Sequence, residues 1–464
     1  MGVAISDWGL ARAVSKMGQL GVVSGVALEV VMIRRLQDGD IGGHIRRALK
    51  AFPFHDMATR TLEKYFIPGG KTENKPYATI PLHKMIGSKN LHELCILGNF
   101  AEVFLAREGH DHAVGINYLE KIQLPHLPSI YGAMLAGVAY VIMGAGIPTT
   151  IPGVLDGLSH HEAVSYGIHV VGSKAGDDTF ARFDPQHFME GEHEPLIRPK
   201  FLPIIASNVL AVTMLRRSNG KVDGFVIEGP TAGGHNAPPR GKLQINEQNE
   251  PVYGEKDVVD LAKIRELGLP FWVAGGCASA DKLREVLAAG GNGIQVGTAF
   301  ALCEESGMVE EHRRGLLQEA MVRTARVVTD RHASPTGFPF KVAQLEGSLS
   351  EEDVYLSRTR VCDLGYLREV YRKDDGKIGY RCASEPVATF VAKGGMESDT
   401  TGRKCICNAL MSNAGLPQVQ NDGAVERPLL TSGDDIAEIA RFVPDGQTSY
   451  TAKDVIDSLL ARRL

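Results

Sequence analysis

The chain reads as an α/β protein built on a closed barrel of eight parallel strands and helices, (β/α)8, with insertions and a mostly helical C-terminal appendage. Three observations predict this. Short β-rich runs recur about eight times along the 464 residues, most followed by a stretch of helical periodicity. That order is the one parallel strands with helical crossovers require. Almost every run closes on a Gly, Asn or Ser step, the chemistry of a shaped rim at the C-terminal ends of barrel strands, where active sites sit. Beyond about residue 310 the alternation stops.

The first two runs are MGVAI at the start and LGVVSG (20–25), after which residues 38–95 form a long interruption. HAVGINYL (112–119) and YVIMGAG (140–146) follow. A further strand-like run, YGIHVVGS (166–173), marks 156–200 as an insertion between units four and five. FLPIIASN (201–208), GFVIEGP (224–230), PFWVAGG (270–276) and GIQVGTAF (293–300) complete the set. DVVDLAKIRELG and ADKLREVLAAGG repeat apolar residues at spacings of three and four, as amphipathic helices do. The barrel is therefore assigned to 1–309. The appendage, 310–464, holds the amphipathic EEHRRGLLQEAMVRTARVV, a Gly/Pro turn (SPTGFPF), a cysteine-bearing region and a final helix, TAKDVIDSLLARRL. Thr451 and Asp454 resemble a capping pair at its start.

Hydrophobic residues make up 44% and charged residues 23%, which fits a globular protein with a real core. A net charge of −5 argues against nucleic acid as the main partner. Leu124 to Leu155 carries no Asp, Glu, Lys or Arg and is long enough to span a bilayer. Four glycines, Pro148 and Pro152 break it into a helix and a strand, so no membrane span is expected. Seven irregularly spaced cysteines without a signal peptide fit a reducing cytosol rather than a disulfide scaffold. MGVAIS fits the N-myristoylation pattern, a short and common one.

VAGGCAS (273–279) and QVGTAF (295–300) close consecutive strands. Backbone amides at such Gly turns, each followed by a helix N-terminus, make an anion site, and barrels place a phosphate site after strands seven and eight. Gly275, Gly276, Gln295, Gly297 and Thr298 are the residues concerned. The neighbouring loop EGPTAGGHNAPPRG (228–241) lets a ligand approach its backbone at Gly233 and Gly234, where no Cβ stands in the way. His235 then stands on the rim with a pKa suited to taking a proton from an acidic C–H group. Pro238 and Pro239 would stiffen this loop, and Arg240 would pair with an acid rather than bind substrate.

Cys362, Cys382, Cys405 and Cys407 cluster in the appendage, where four thiolates would hold zinc or an iron–sulfur cluster. A C-x-C pair with two distant single cysteines is not a standard spacing, however, and buried unpaired thiols are expected, with no metal site. Cys277 would feel a helix dipole, but packing is its expected role. His110 and His112 lack a third ligand, and His160 and His161 would reach the barrel mouth from the insertion.

AGGH after a strand, then AGG and Q-x-G-T on the next two, resemble the nitronate monooxygenases, flavin-dependent barrels related to the flavin-dependent enoyl reductases. The resemblance covers roughly 1–300. It implies FMN as cofactor, His235 as the proton-abstracting base, and Glu228, Gly233, Gly276, Gln295, Gly297 and Thr298 at positions that contact FMN, with Gly234 and Gly275 in the same turns. Asn117 matches the Asn ending strand three, and MGVAI, with Gly2 and Val3, matches the segment after strand one that lies against the flavin ring. Three departures stand out. Strand one is truncated or lies upstream of Met1, and a Gly2 wanted inside the barrel disfavours a lipid anchor. Glu228 stands where relatives often carry Gln. The insertions and the PPRG extension put the substrate in question more than the cofactor. The activity so implied is oxidation of a nitronate, nitroalkane or similar small carbon acid by O2. An NAD(P)H-dependent reductase of enoyl thioesters, its insertions docking an acyl carrier protein, is the second reading, and a non-catalytic flavin scaffold the third. A homo-oligomer is left open.

Overall fold

In the computed structural model, which describes residues 2–461 except 175 and 192, seven parallel strands form one curled sheet. Its first three are β1 (Gly21–Ser24), β2 (Val114–Leu119) and β3 (Tyr140–Gly144). The insertion contributes β4 (Val164–Gly167), β5 (Val170–Val171) and β6 (Phe180–Phe183). The sheet resumes with β7 (Lys200–Ile205), β8 (Phe225–Glu228), β9 (Phe271–Ala274) and β10 (Gly293–Gln295). Its order is β1-β2-β3-β7-β8-β9-β10, with Asn117 beside Ile142 and Glu228 beside Ala274. Every neighbouring pair is parallel, so helices cross over between strands and cover the outer face.

The short apolar runs form these strands because both sides are buried. Outward side chains such as Ile116, Val141, Phe201 and Phe225 join the main core with the crossover helices, above all Lys89–Arg107. Inward ones, Ile142, Leu202, Val226 and Ala274, make a smaller core inside the curl. β1 and β10 are the two edges of the sheet, and no pairing joins them among the described residues. The barrel is thus a seven-stranded arc.

MGVAI is not a strand. Met1 lies outside the described residues, and the rest forms a turn in which the Ile5 amide donates to the Gly2 carbonyl and Ala4 has a left-handed φ of 53°. The physical reason is its neighbour: the Asp7 carboxylate accepts from the Gly9 and Leu10 amides and starts a helix, Trp8–Lys16, too soon for a strand to precede it. The interruption at 38–95 holds two short helices, His44–Lys50 and His55–Tyr65, and ends at Ser88, which caps the long barrel helix.

The C-terminal region carries two hairpins as well as helices, β11 (Val327–Asp330) with β12 (Phe340–Ala343) and β13 (Glu369–Arg372) with β14 (Ile378–Arg381). Strand β13 also pairs with β5, tying this region to the insertion. The last helix, Ala452–Leu459, begins with a reciprocal Thr451–Asp454 capping box; residues 462–464 of the expected helix lie outside the described residues. No helix among the described residues is long and apolar enough to cross a membrane.

Candidate active site

Two connected cavities open at the C-terminal ends of the strands. The smaller, about 120 Å³, is lined by His235 with Val3, Asn117 and apolar side chains including Val26, Leu119, Leu410 and Met411. The larger, about 510 Å³, includes Gly275, Gly276, Gly297 and Thr298 and runs along the gap between β1 and β10. Gly2, Glu228, Gly233, Gly234, Gln295 and Thr431 line both. The residues singled out in the sequence are therefore gathered around one continuous space.

The turn after β9 needs its glycines, since Gly275 and Gly276 take φ of 92° and 61°. A Cβ on Gly275 would meet the Ala232 amide at 2.9 Å, so this turn and the AGGH loop pack backbone to backbone. The Gly275, Gly276 and Gly297 amides make no hydrogen bond to another chain group among the described residues. Free amides on two adjacent turns suit a phosphate. Asp435 opposes one: it lines the same cavity, and burial raises its carboxyl pKa. Ala27 and Ala145, at 59° and 57°, hold strained backbone on the smaller cavity, a feature that clusters at functional sites.

His235 is held from the C-terminal region. Its Nε2 lies 2.7 Å from Ser334 Oγ, and its ring meets Phe340 edge-on at 4.8 Å. Ser334 Oγ also accepts from the Thr336 amide and lies 2.8 Å from Thr336 Oγ1, which accepts from the Phe338 amide. The Ser334 hydroxyl thus links His235 Nε2 to Thr336, accepting from Nε2–H in one tautomer of the ring and donating to Nε2 in the other. In the Nε2–H tautomer, Nδ1 is the acceptor nitrogen. Burial pushes the imidazole pKa down to about 3, so the ring is neutral. Burial pushes Glu228, at the end of β8, up to about 7.

The AGGH loop is clamped from above. The Gly234 amide donates to Thr431 Oγ1 and the Gly234 carbonyl accepts from the Lys341 amide, each at 2.9 Å. The Asp434 amide donates to the Thr231 carbonyl, and the Gly433 amide to Thr298 Oγ1 at 2.9 Å. Lys341 Nζ, 2% exposed, bridges Thr329 Oγ1 and Asp434 Oδ1. Sequence reasoning missed Ser334, Tyr366, Thr431, Gly433 and Asp435, all in the appendage; only the SPTGFPF turn, which holds Ser334, gave a local signal.

Of the other candidates outside the appendage, only Cys277 lines a cavity, the larger one. The Arg240 guanidinium bonds the carbonyls of Ala206 and Lys256, and its amide donates to Asp257, so it stiffens its own loop. His161 is buried in the insertion between Tyr131 and the Glu194 carbonyl, while His160 bonds the Asp156 carbonyl on the surface. His110 bonds the Ala106 carbonyl. Burial raises the Cys277 thiol pKa, and its Sγ donates to the Gly275 carbonyl, in keeping with packing.

The fold and site define a barrel-type rim on which Gly-rich turns with unpaired amides meet a buried, neutral histidine. Residues 188–334 match the family model described as nitronate monooxygenase. The match takes in β7 to β10, the AGGH loop and Ser334. A nitronate monooxygenase of Pseudomonas aeruginosa is 36% identical over 121 residues, 25% of this chain and 32% of that protein. One from Paraburkholderia phytofirmans is 37% identical over 161 residues, 34% and 42% of the two. The matches thus span about a third of the length of these curated relatives. Among solved structures, FabK from Thermotoga maritima aligns over 98% of this chain and 88% of its own, at a TM-score of 0.48 and 15% identity.

Proposed function

We propose that this protein is an FMN-dependent oxidoreductase of nitronate monooxygenase type, acting on a nitronate, nitroalkane or similar small carbon acid. The observation that carries the reading is His235: a buried, neutral imidazole bonded through Nε2 to Ser334, on the loop between a small apolar cavity and the Gly-rich turns. FMN, when bound, accepts electrons from the substrate and passes them to O2. The Gly275, Gly276 and Gly297 amides with Thr298 would hold its phosphate, and Gly2, Val3, Asn117, Glu228, Gly233, Gly234 and Gln295 would surround the rest. His235 Nδ1 takes the α-proton in the Nε2–H tautomer, with Ser334 accepting from Nε2–H. Burial disfavours the resulting imidazolium, so it depends on pairing with the negative charge left on the substrate. A Glu228 carboxyl with pKa near 7 is largely protonated at mildly acid pH and does not then oppose an anionic reduced ring.

The apolar wall of Val26, Leu119, Ile122, Leu410 and Met411 favours a second reading, an NAD(P)H-dependent reductase of enoyl thioesters delivered by an acyl carrier. The visible spectrum of the purified protein, held anaerobic, separates the two. A flavin band bleached by a nitronate alone supports the first reading, and bleaching by NADPH alone supports the second. No band, even after FMN is added, would overturn both.

A further inference from the structure

Three side chains with metal-ligating atoms meet beside Tyr366, a residue of the smaller cavity's wall. Glu29 lies in the first turn of the helix Leu28–Gln37, His83 on the stretch that precedes Ser88, and Cys95 on the long barrel helix Lys89–Arg107. All three are buried, at 1%, 5% and 0% exposure. One carboxylate oxygen, one imidazole nitrogen and the thiol sulfur lie within 4.8 Å of one another. Among the described residues no other group of three His, Cys, Asp or Glu side chains comes as close, the four appendage cysteines included.

The packing of the chain builds this meeting point. The long helix passes the start of Leu28–Gln37 so closely that a Cβ on Gly98 would stand 2.7 Å from the Glu29 amide nitrogen. Cys95, three positions earlier, shares that face of the helix and comes to Glu29 with it. The appendage holds the other two. Arg368 donates to the His83 carbonyl at 2.7 Å, and the Tyr366 hydroxyl donates to Glu29 Oε1 at 2.6 Å. His83 Nε2 lies 2.7 Å from the same Oε1, so neither bond uses Oε2. Hydrogen bonding accounts for Tyr366, Glu29 and His83, and a thiol, being a weak donor, adds little to it. With the thiol, the set becomes one oxygen, one nitrogen and one sulfur, the mixed donors that suit zinc.

We propose that Glu29, His83 and Cys95 bind one zinc ion, which pins two helices and the stretch before Ser88 together behind the cavity wall. Charge favours the set: one carboxylate and one thiolate cancel the two charges of the ion, so a site this buried carries no net charge. Binding forms one Zn–O, one Zn–N and one Zn–S bond and sends the thiol proton to solvent. The proton between His83 Nε2 and Glu29 Oε1 moves to Nδ1, and no oxidation state changes. Bonds of about 2.0–2.3 Å at tetrahedral angles open the Glu29–His83 pair by roughly half an ångström and leave the fourth position to a water. Tyr366 stays outside as the partner that orients the Glu29 carboxylate, so the ion fixes a residue of the smaller cavity's wall.

The test is metal content by mass spectrometry on the full-length protein purified under reducing conditions, followed by chelation and titration with Co²⁺. The expected result is about one zinc per chain. The stripped protein should then take up one Co²⁺, with tetrahedral d–d bands and a charge-transfer band of the intensity that a single thiolate gives. Cys95→Ser and His83→Asn should lower the zinc content several-fold, while Cys362→Ser, at an exposed thiol, should leave it unchanged. Tyr366→Phe should keep the ion but weaken its affinity by roughly 10–100-fold, as loss of an outer partner does. A folded wild-type chain that takes up neither zinc nor Co²⁺ at stoichiometry would overturn the site, and so would full metal content in a folded Cys95→Ser or His83→Asn chain. Where those two variants fail to fold, the wild-type cobalt spectrum decides: a bound Co²⁺ without a thiolate band, or with the intensity of several thiolates, contradicts the proposal.

Discussion

Glu228 ends β8 between the two cavities, where a carboxylate has little water to solvate it. Its pKa is raised from 4.5 to about 7. A raised carboxyl pKa means that the neutral form stabilises the fold below pH 4.5, and that this contribution is lost as pH rises through 7. Relative to its standing near pH 5, Glu228→Gln should therefore gain on the wild type at pH 8, by roughly 2–3 kcal/mol on the scale of 1.36 kcal/mol per unit. Urea unfolding at both pH values checks this, and equal differences at the two would show that the carboxyl is not buried as described. His235 and the Gly turns were legible in the sequence because their signals are local: a strand, a Gly step, then a polar residue. Ser334 and Thr431 were not. They reach His235 and Gly234 from 99 and 197 positions away, and no short pattern encodes that approach.

At the scale of elements, the strands after MGVAI were legible because each is an apolar run with a Gly, Asn or Ser stop. The hairpin β11–β12 and the strap 431–435 were hidden, since helical periodicity dominates their surroundings. Together they close the AGGH loop through the Lys341–Asp434 pair, which is 2% exposed on the lysine side and 45% on the aspartate side. That asymmetry orders two variants. Asp434→Asn leaves a buried ammonium short of its counter-charge and should cost about 1–3 kcal/mol. Lys341→Met keeps the apolar stem, and the half-exposed Asp434 returns to water, so it should cost less. Chemical denaturation of both variants decides, and the reverse order would contradict the latch.

Over the whole molecule, one core cluster joins the N-terminal turn, the β9 and β10 rim and the C-terminal helices. Ile5, Leu10, Ala278 and Ala299 pack with Leu316, Ile436, Phe442 and Val455. Neither part buries these side chains alone, and apolar burial is the main force holding each together. The barrel and appendage should thus unfold in one transition, seen alike by calorimetry and far-ultraviolet circular dichroism. Two separated transitions would mean that the appendage carries a core of its own. The sequence marks a change of pattern beyond about residue 310 but not that this region walls the cavities, because a helix's partner is set by the fold and not by its own period.

The central claim is that His235 removes a proton from the substrate at a flavin. Its most direct test is anaerobic stopped-flow bleaching of the flavin band in His235→Asn, with a neutral nitroalkane and then with the preformed nitronate. The account predicts that the variant keeps its flavin, loses about 10²–10⁴-fold in rate on the nitroalkane, and stays within about tenfold of wild type on the nitronate, which needs no base. Equal losses on the two substrates would contradict it.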